Sequence, residues 1–101
     1  MPPERGRPAK RLEWSPRARA AYLATLEFIA SEDPAAALLV RERVERVLQH
    51  VAAYPGIGTP GMRRGERRLP IQNTGHVFNY RVTRSSIRIQ SWYRARQGSH
   101  R

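Results

Sequence analysis

Arginine dominates the groups that could do chemistry in this chain. Of 19 lysine and arginine residues only Lys10 is lysine, and they face eight acids. A guanidinium stays charged at any working pH and presents a planar fork to carboxylates and phosphates. Residues 51–101 hold ten basic side chains and a single acid, Glu66, a net charge of +9, whereas residues 1–50 carry only +2. Cleaving RNA through its 2′-hydroxyl needs a proton acceptor, a proton donor and cations around the phosphate. Near these arginines the proton carriers are His76 and Tyr93, and Glu66 among Arg63, Arg64, Arg67 and Arg68 is expected to be held ionised in salt bridges. As a ribonuclease centre the set is incomplete. Three widely spaced histidines (His50, His76, His100) form no metal-ligand pattern, and the absence of cysteine excludes thiol catalysis, disulfides and cysteine-based zinc folds. No metal or cofactor is expected, and 101 residues leave no room for a separate catalytic lobe.

The elements that must position these groups are legible from punctuation and period. Residues 1–10, with three prolines, read as a disordered basic leader. Arg11-Leu12-Glu13-Trp14 reads as a short strand. Ser15-Pro16 then places a capping hydroxyl before a proline suited to the first helical position, and Ala21, Tyr22, Leu26, Ile29 and Ala30 form a helical stripe. Asp33-Pro34 repeats the device ahead of a second stripe at Ala37, Val40, Val44, Val47, Leu48 and Val51. Residues 54–65, with four glycines and two prolines, read as a loop. Beyond it the apolar period drops to two, through Leu69 and Ile71, then Phe78, Tyr80 and Val82, then Ile87 and Ile89, with turns at Asn73-Thr74-Gly75 and Thr83 to Ser86. The expected fold is α+β: a short N-terminal strand, a helical hairpin, then a three-stranded antiparallel meander packed against the helices. A single domain is expected over residues 11–98, with 99–101 as a tail.

A symmetric loop at Thr83 to Ser86 predicts that Val82 faces Ile87, Arg81 faces Arg88, Tyr80 faces Ile89 and Val77 faces Trp92. Arg81 and Arg88 would then emerge opposite each other on the outer face, an unfavourable like-charge pair, so an anionic visitor to that face is expected. No segment approaches the ~20 apolar residues of a membrane span, and the N-terminus lacks the apolar run of a secretory signal. A cytoplasmic protein with no membrane partner is the expectation. The charge alone would give salt-sensitive phosphate affinity, but no helix is basic enough to read a DNA groove.

Glu13-Trp14-Ser15-Pro16, Asp33-Pro34-Ala35-Ala36-Ala37, Tyr54-Pro55-Gly56-Ile57-Gly58, Arg68-Leu69-Pro70-Ile71, Tyr80-Arg81-Val82 and Arg94-Ala95-Arg96-Gln97, in this order, resemble the RelE/ParE superfamily of type II toxins over about residues 11 to 98. The resemblance implies a basic toxin neutralised by a cognate antitoxin whose acidic C-terminal segment folds across it, with operator DNA reached only through the antitoxin. It implies plasmid stabilisation as a setting. Arg67, Arg68, Arg81, Arg88, Trp92, Arg94 and Arg96 are the expected antitoxin or target contacts, with apolar anchoring around Trp14, Tyr22 and Trp92. RelE-like members cut mRNA on the ribosome; on that pattern the catalytic set here would be Arg68, His76, Tyr93 and Arg96, but Pro70 and Val77 stand where two cations are expected. ParE-like members poison DNA gyrase without a nuclease centre, and the Arg-x-Leu-Pro-Ile and Tyr-Arg-Val strands resemble theirs, although Tyr93 and Arg94 replace their usual His-Gly. The ParE side is therefore favoured, with gyrase as partner, no catalysis by the chain itself, and ribosome and mRNA as the alternative.

Overall fold

The computed structural model describes residues 9–95. The leader expected over residues 1–10 falls mostly outside that span. Lys10 is within it and is held in place: its amide reaches the Ala52 carbonyl at 3.1 Å, and its ammonium reaches the carbonyls of Thr83 and Arg84 at 3.1 and 2.7 Å.

Strand β1 (Arg11–Trp14) leads into helix α1 (Pro16–Glu32) and, through the single residue Asp33, into helix α2 (Pro34–Ala53). Both helix starts use the expected chemistry. Ser15 Oγ accepts from the Ala18 amide at 3.0 Å, and one Asp33 carboxylate oxygen accepts from the Ala35 and Ala36 amides at 3.1 and 3.3 Å, each satisfying amides that a first helical turn leaves unpaired. A 3₁₀ turn (Pro55–Ile57) and a two-residue strand β2 (Thr59–Pro60) follow, then β3 (Glu66–Ile71), β4 (His76–Val82) and β5 (Ser86–Arg94).

The meander sits inside a five-stranded sheet ordered β1-β5-β4-β3-β2, with β1 parallel to β5 and every other pair antiparallel. The segment expected to be only loop thus contributes an edge strand, and Tyr80 is the reason. Its buried hydroxyl accepts from the Gly58 amide at 2.9 Å and donates to the Pro55 carbonyl at 2.8 Å, tying the segment to the sheet. A Cβ on Gly58 would lie 2.7 Å from that hydroxyl, so this approach requires glycine.

Three of the four expected cross-strand pairs are present: Val82–Ile87, Arg81–Arg88 and Tyr80–Ile89. The fourth is corrected by a β-bulge. Asn79 pairs with Ser91, which leaves Gln90 as the extra residue, so Val77 faces Tyr93 and Phe78 faces Trp92. The bulge moves Trp92 onto the inner face with Ile87 and Ile89. There Phe78, Tyr80, Ile71 and these β5 residues meet Ala18, Val40, Val44, Leu48 and Val51 of the helical hairpin in one core.

Candidate functional site

Among the described residues no helix covers the outer face of the sheet, and strand alternation arranges that face in three rows. The first row reads Glu13, Arg88, Arg81, Glu66 from β1 to β3. The like-charge pair expected at its centre is therefore flanked by two carboxylates of the same chain. Arg88 approaches Glu13 at 3.8 Å, and Arg81 turns to donate to the Arg64 carbonyl at 2.8 Å. Glu13 offsets Arg88 and the Arg64 carbonyl takes up Arg81, so the pair does not by itself demand an external anion. Glu66 does not enter the expected arginine salt bridges. It is 8% exposed, and its carboxylate accepts the Arg63 amide at 3.2 Å.

The second row is Arg68, Asn79 and Ser91; the third is Pro70, Val77 and Tyr93. The Tyr93 hydroxyl links the two, accepting from Arg68 Nε at 3.3 Å and donating to Asn79 Oδ1 at 3.2 Å. The two positions that a RelE-like nuclease would fill with cations thus hold a paired proline and valine, and Val77 is fully buried. A cleft of about 600 Å³ opens over this face. Its floor includes Asn79, Arg81, Arg88 and Ser91, and its walls include Arg17 at the start of α1 and Met62-Arg63 in the β2–β3 connection.

His76 is not on this face. It lies on the inner side, cross-strand from Arg94, with its ring stacked on Trp92 (centroids 5.1 Å apart, planes within 11°). Its Nδ1 is buried and has no hydrogen-bond partner. Burial and, second, the nearby Arg94 guanidinium push its pKa below the ordinary 6.5, partly offset by the Thr74 backbone beside the ring. The four candidate catalytic residues are consequently not one constellation. Arg68 and Tyr93 touch, His76 faces the opposite side, and Arg96 lies outside the described residues.

The remaining expected contacts divide. Trp92 is corrected from contact to core: it is 5% exposed, its indole N–H donates to Thr25 Oγ1 at 2.9 Å, and it forms a ladder with Trp14, Tyr22 and His76. Trp14 and Tyr22 stack at 4.9 Å, and Tyr22 meets Trp92 edge-on at 4.8 Å. Their aromatic faces therefore hold α1 against β1 and β5 instead of lining an open groove. Burial raises the Tyr22 pKa, with Glu45 adding to the shift and Arg41 opposing it. Arg67 is half-buried on the inner side and donates to the Gly58 carbonyl. Arg68, Arg88 and Arg94 remain exposed and Arg81 partly so.

The sequence reasoning missed a second feature, a cleft of about 520 Å³ between the C-terminal half of α2 and β3. Its walls are Val47, Leu69 and Ile71, and its rim carries Arg43, Arg46 and His50. Arg43 and Arg46 alternate with the apolar stripe of α2, but only the position of β3 shows that they border a groove. Among the described residues no cluster of His, Asp and Glu could hold a metal ion, and no helix is long and apolar enough to cross a membrane.

A helical hairpin on one face of a strand meander is the fold shared with solved structures of ParDE and RelBE systems. The chain resembles the chromosomal ParDE toxin-antitoxin system from P. aeruginosa with a TM-score of 0.75 at 22% identity, over 87% of this chain and 98% of that one. It also resembles the intact E. coli RelBE toxin-antitoxin complex with a TM-score of 0.64 at 19% identity, over 88% of this chain and the whole of that one. The sequence places it more narrowly: residues 12–100 match the family of ParE toxins of the type II parDE toxin-antitoxin system, and the chain belongs to that family. A Sinorhizobium fredii protein described as "Putative toxin Y4kP" is 31% identical over 75 residues, spanning 74% of this chain and 78% of that protein.

Proposed function

We propose that this toxin acts by inhibiting DNA gyrase, as a binding protein with no chemistry of its own. Membership of the ParE family supports the reading, and one observation carries it: among the described residues, the arginine-rich outer face holds no histidine of the kind a nuclease mechanism would recruit. His76 is stacked beneath Trp92 on the far side of the sheet. Among the described residues Tyr93 is the one proton carrier hydrogen-bonded to Arg68, where acid and base are both needed.

The favoured partner for neutralisation is a cognate antitoxin with an acidic, amphipathic C-terminal segment. The cleft between α2 and β3 suits its apolar anchors, and Arg43 and Arg46 on the rim suit its carboxylates. Arg68, Arg88 and Arg94 extend the cationic surface. Operator DNA is then reached through the antitoxin, and the toxin works in the cytoplasm where gyrase and antitoxin are found.

The test is induction of the toxin without antitoxin while DNA and protein synthesis are followed. Early arrest of replication with a DNA-damage response is expected. Early loss of translation, with mRNA cut in the ribosomal A site, would replace this reading with the ribonuclease one.

A further inference from the structure

We infer that the tip of the β2–β3 connection, residues 61–65, is a preformed anchor that seats Met62 in an apolar pocket rimmed by carboxylates on the toxin's protein target. The inference rests on the reading of the chain as a toxin that binds a protein, and it assigns that contact to one point of the surface.

Met62 is 96% exposed, far more than any other large apolar side chain described. The backbone that presents it is fixed. The Gly61 amide donates to the Glu66 carbonyl at 2.7 Å, the Glu66 amide to the Arg63 carbonyl at 3.0 Å, and the Arg63 amide to the Glu66 carboxylate at 3.2 Å. From the neighbouring strand Arg81 donates to the Arg64 carbonyl at 2.8 Å, and Gly65 takes a positive φ of 80° that closes the turn. A buried glutamate and a cross-strand arginine are thus committed to the shape of a tip whose apolar residue has almost no contact with its own fold. A protruding side chain held rigidly loses little entropy on docking, and methionine and arginine are both enriched at protein interfaces.

The charge pattern selects the class of partner. Arg63 and Arg64 follow Met62 on one side; Pro60 and Gly61 on the other carry no cation. A wedge opening a DNA step holds phosphates on both strands and gains from many such contacts, whereas Arg67 and Arg81 near the tip are already engaged with backbone carbonyls. One apolar anchor with two adjacent guanidinia fits a pocket with an acidic rim. The tip shares no residue with the cleft between α2 and β3, so target and antitoxin need not compete for one surface.

The experiment compares the full-length toxin with Met62→Ala, Met62→Leu and Arg64→Glu, by growth arrest on induction and by binding to purified gyrase. A thermal melt of each variant checks that the fold is intact. Met62→Ala should weaken binding roughly tenfold to a hundredfold, the range for exposing one methionine. Arg64→Glu should weaken it more at low salt than at high, and Met62→Leu should restore most of it. If Met62→Ala binds gyrase as the wild type does, the inference is wrong and the gyrase reading stands. If no form binds gyrase but Met62→Ala loses growth arrest, the anchor stands and another protein is the target. Met62-dependent binding to a bare DNA duplex, or wild-type toxin that neither arrests growth nor binds gyrase, would overturn the inference.

Discussion

The Tyr80 hydroxyl fastens the edge of the sheet to its centre, and Tyr80→Phe isolates that function because the ring keeps its shape. The substitution removes one acceptor for the Gly58 amide and one donor for the Pro55 carbonyl. Pro55 is half-buried, whereas Gly58 is buried, so the Gly58 amide is left without a partner. An unsatisfied buried group costs about 1–3 kcal/mol and the net value of a hydrogen bond is about 1 kcal/mol. Together these give about 2–4 kcal/mol, a large share of the 5–15 kcal/mol typical of a whole domain. At about 4–8 °C per kcal/mol for a chain of this size, the melting temperature should fall by roughly 10–30 °C. Urea denaturation should show a lower midpoint at an almost unchanged slope, and the Gly58 amide should lose its protection from hydrogen exchange. Tyr54→Phe, at an exposed ring, is the control and should shift stability by less than about 0.5 kcal/mol. A Tyr80→Phe change as small as the control's would refute the claim that this hydroxyl organises residues 55–60.

Two further predictions follow from the inner face. Because the His76 pKa is lowered in the folded state, the unfolded chain takes up more protons as pH falls below about 6.5. Stability is therefore intact above that pH and declines as pH falls toward the folded pKa; urea midpoints at pH 7.5 and 5 should show this, with a shallower decline in His76→Phe. Thr25→Val keeps the side-chain volume but strands the Trp92 indole N–H, and should cost about 1–3 kcal/mol; a stability within 0.5 kcal/mol of wild type would show that water replaces the threonine.

Local signals carried most of the fold. Ser15-Pro16 and Asp33-Pro34 mark the helix starts because capping is a short-range contact, and the switch of period after residue 65 marks the strands because alternation follows from backbone geometry. The register near Thr83 was legible for the same reason. It failed beyond Asn79, since the extra residue at Gln90 has no glycine or proline to announce it. The site was less legible. His76 reads as a proton carrier near the arginines, yet it is buried on the inner side where the bulge brings Trp92 over it. The approach of Glu13 to Arg88 depends on a parallel pairing of residues some 75 positions apart, and no local pattern encodes that. Met62 did leave a signal, a lone large apolar residue in a glycine-rich connection, but only its exposure gives that signal meaning.

Supercoiling of relaxed plasmid by purified gyrase, with wild-type toxin and Tyr93→Phe titrated in parallel, tests the central claim most directly. A binding inhibitor predicts that the wild type blocks supercoiling and that removing the Tyr93 hydroxyl leaves inhibition within a few-fold, with no mRNA cleavage when either protein is added to translating ribosomes. Undisturbed supercoiling together with ribosome-dependent cleavage that disappears in Tyr93→Phe would contradict it.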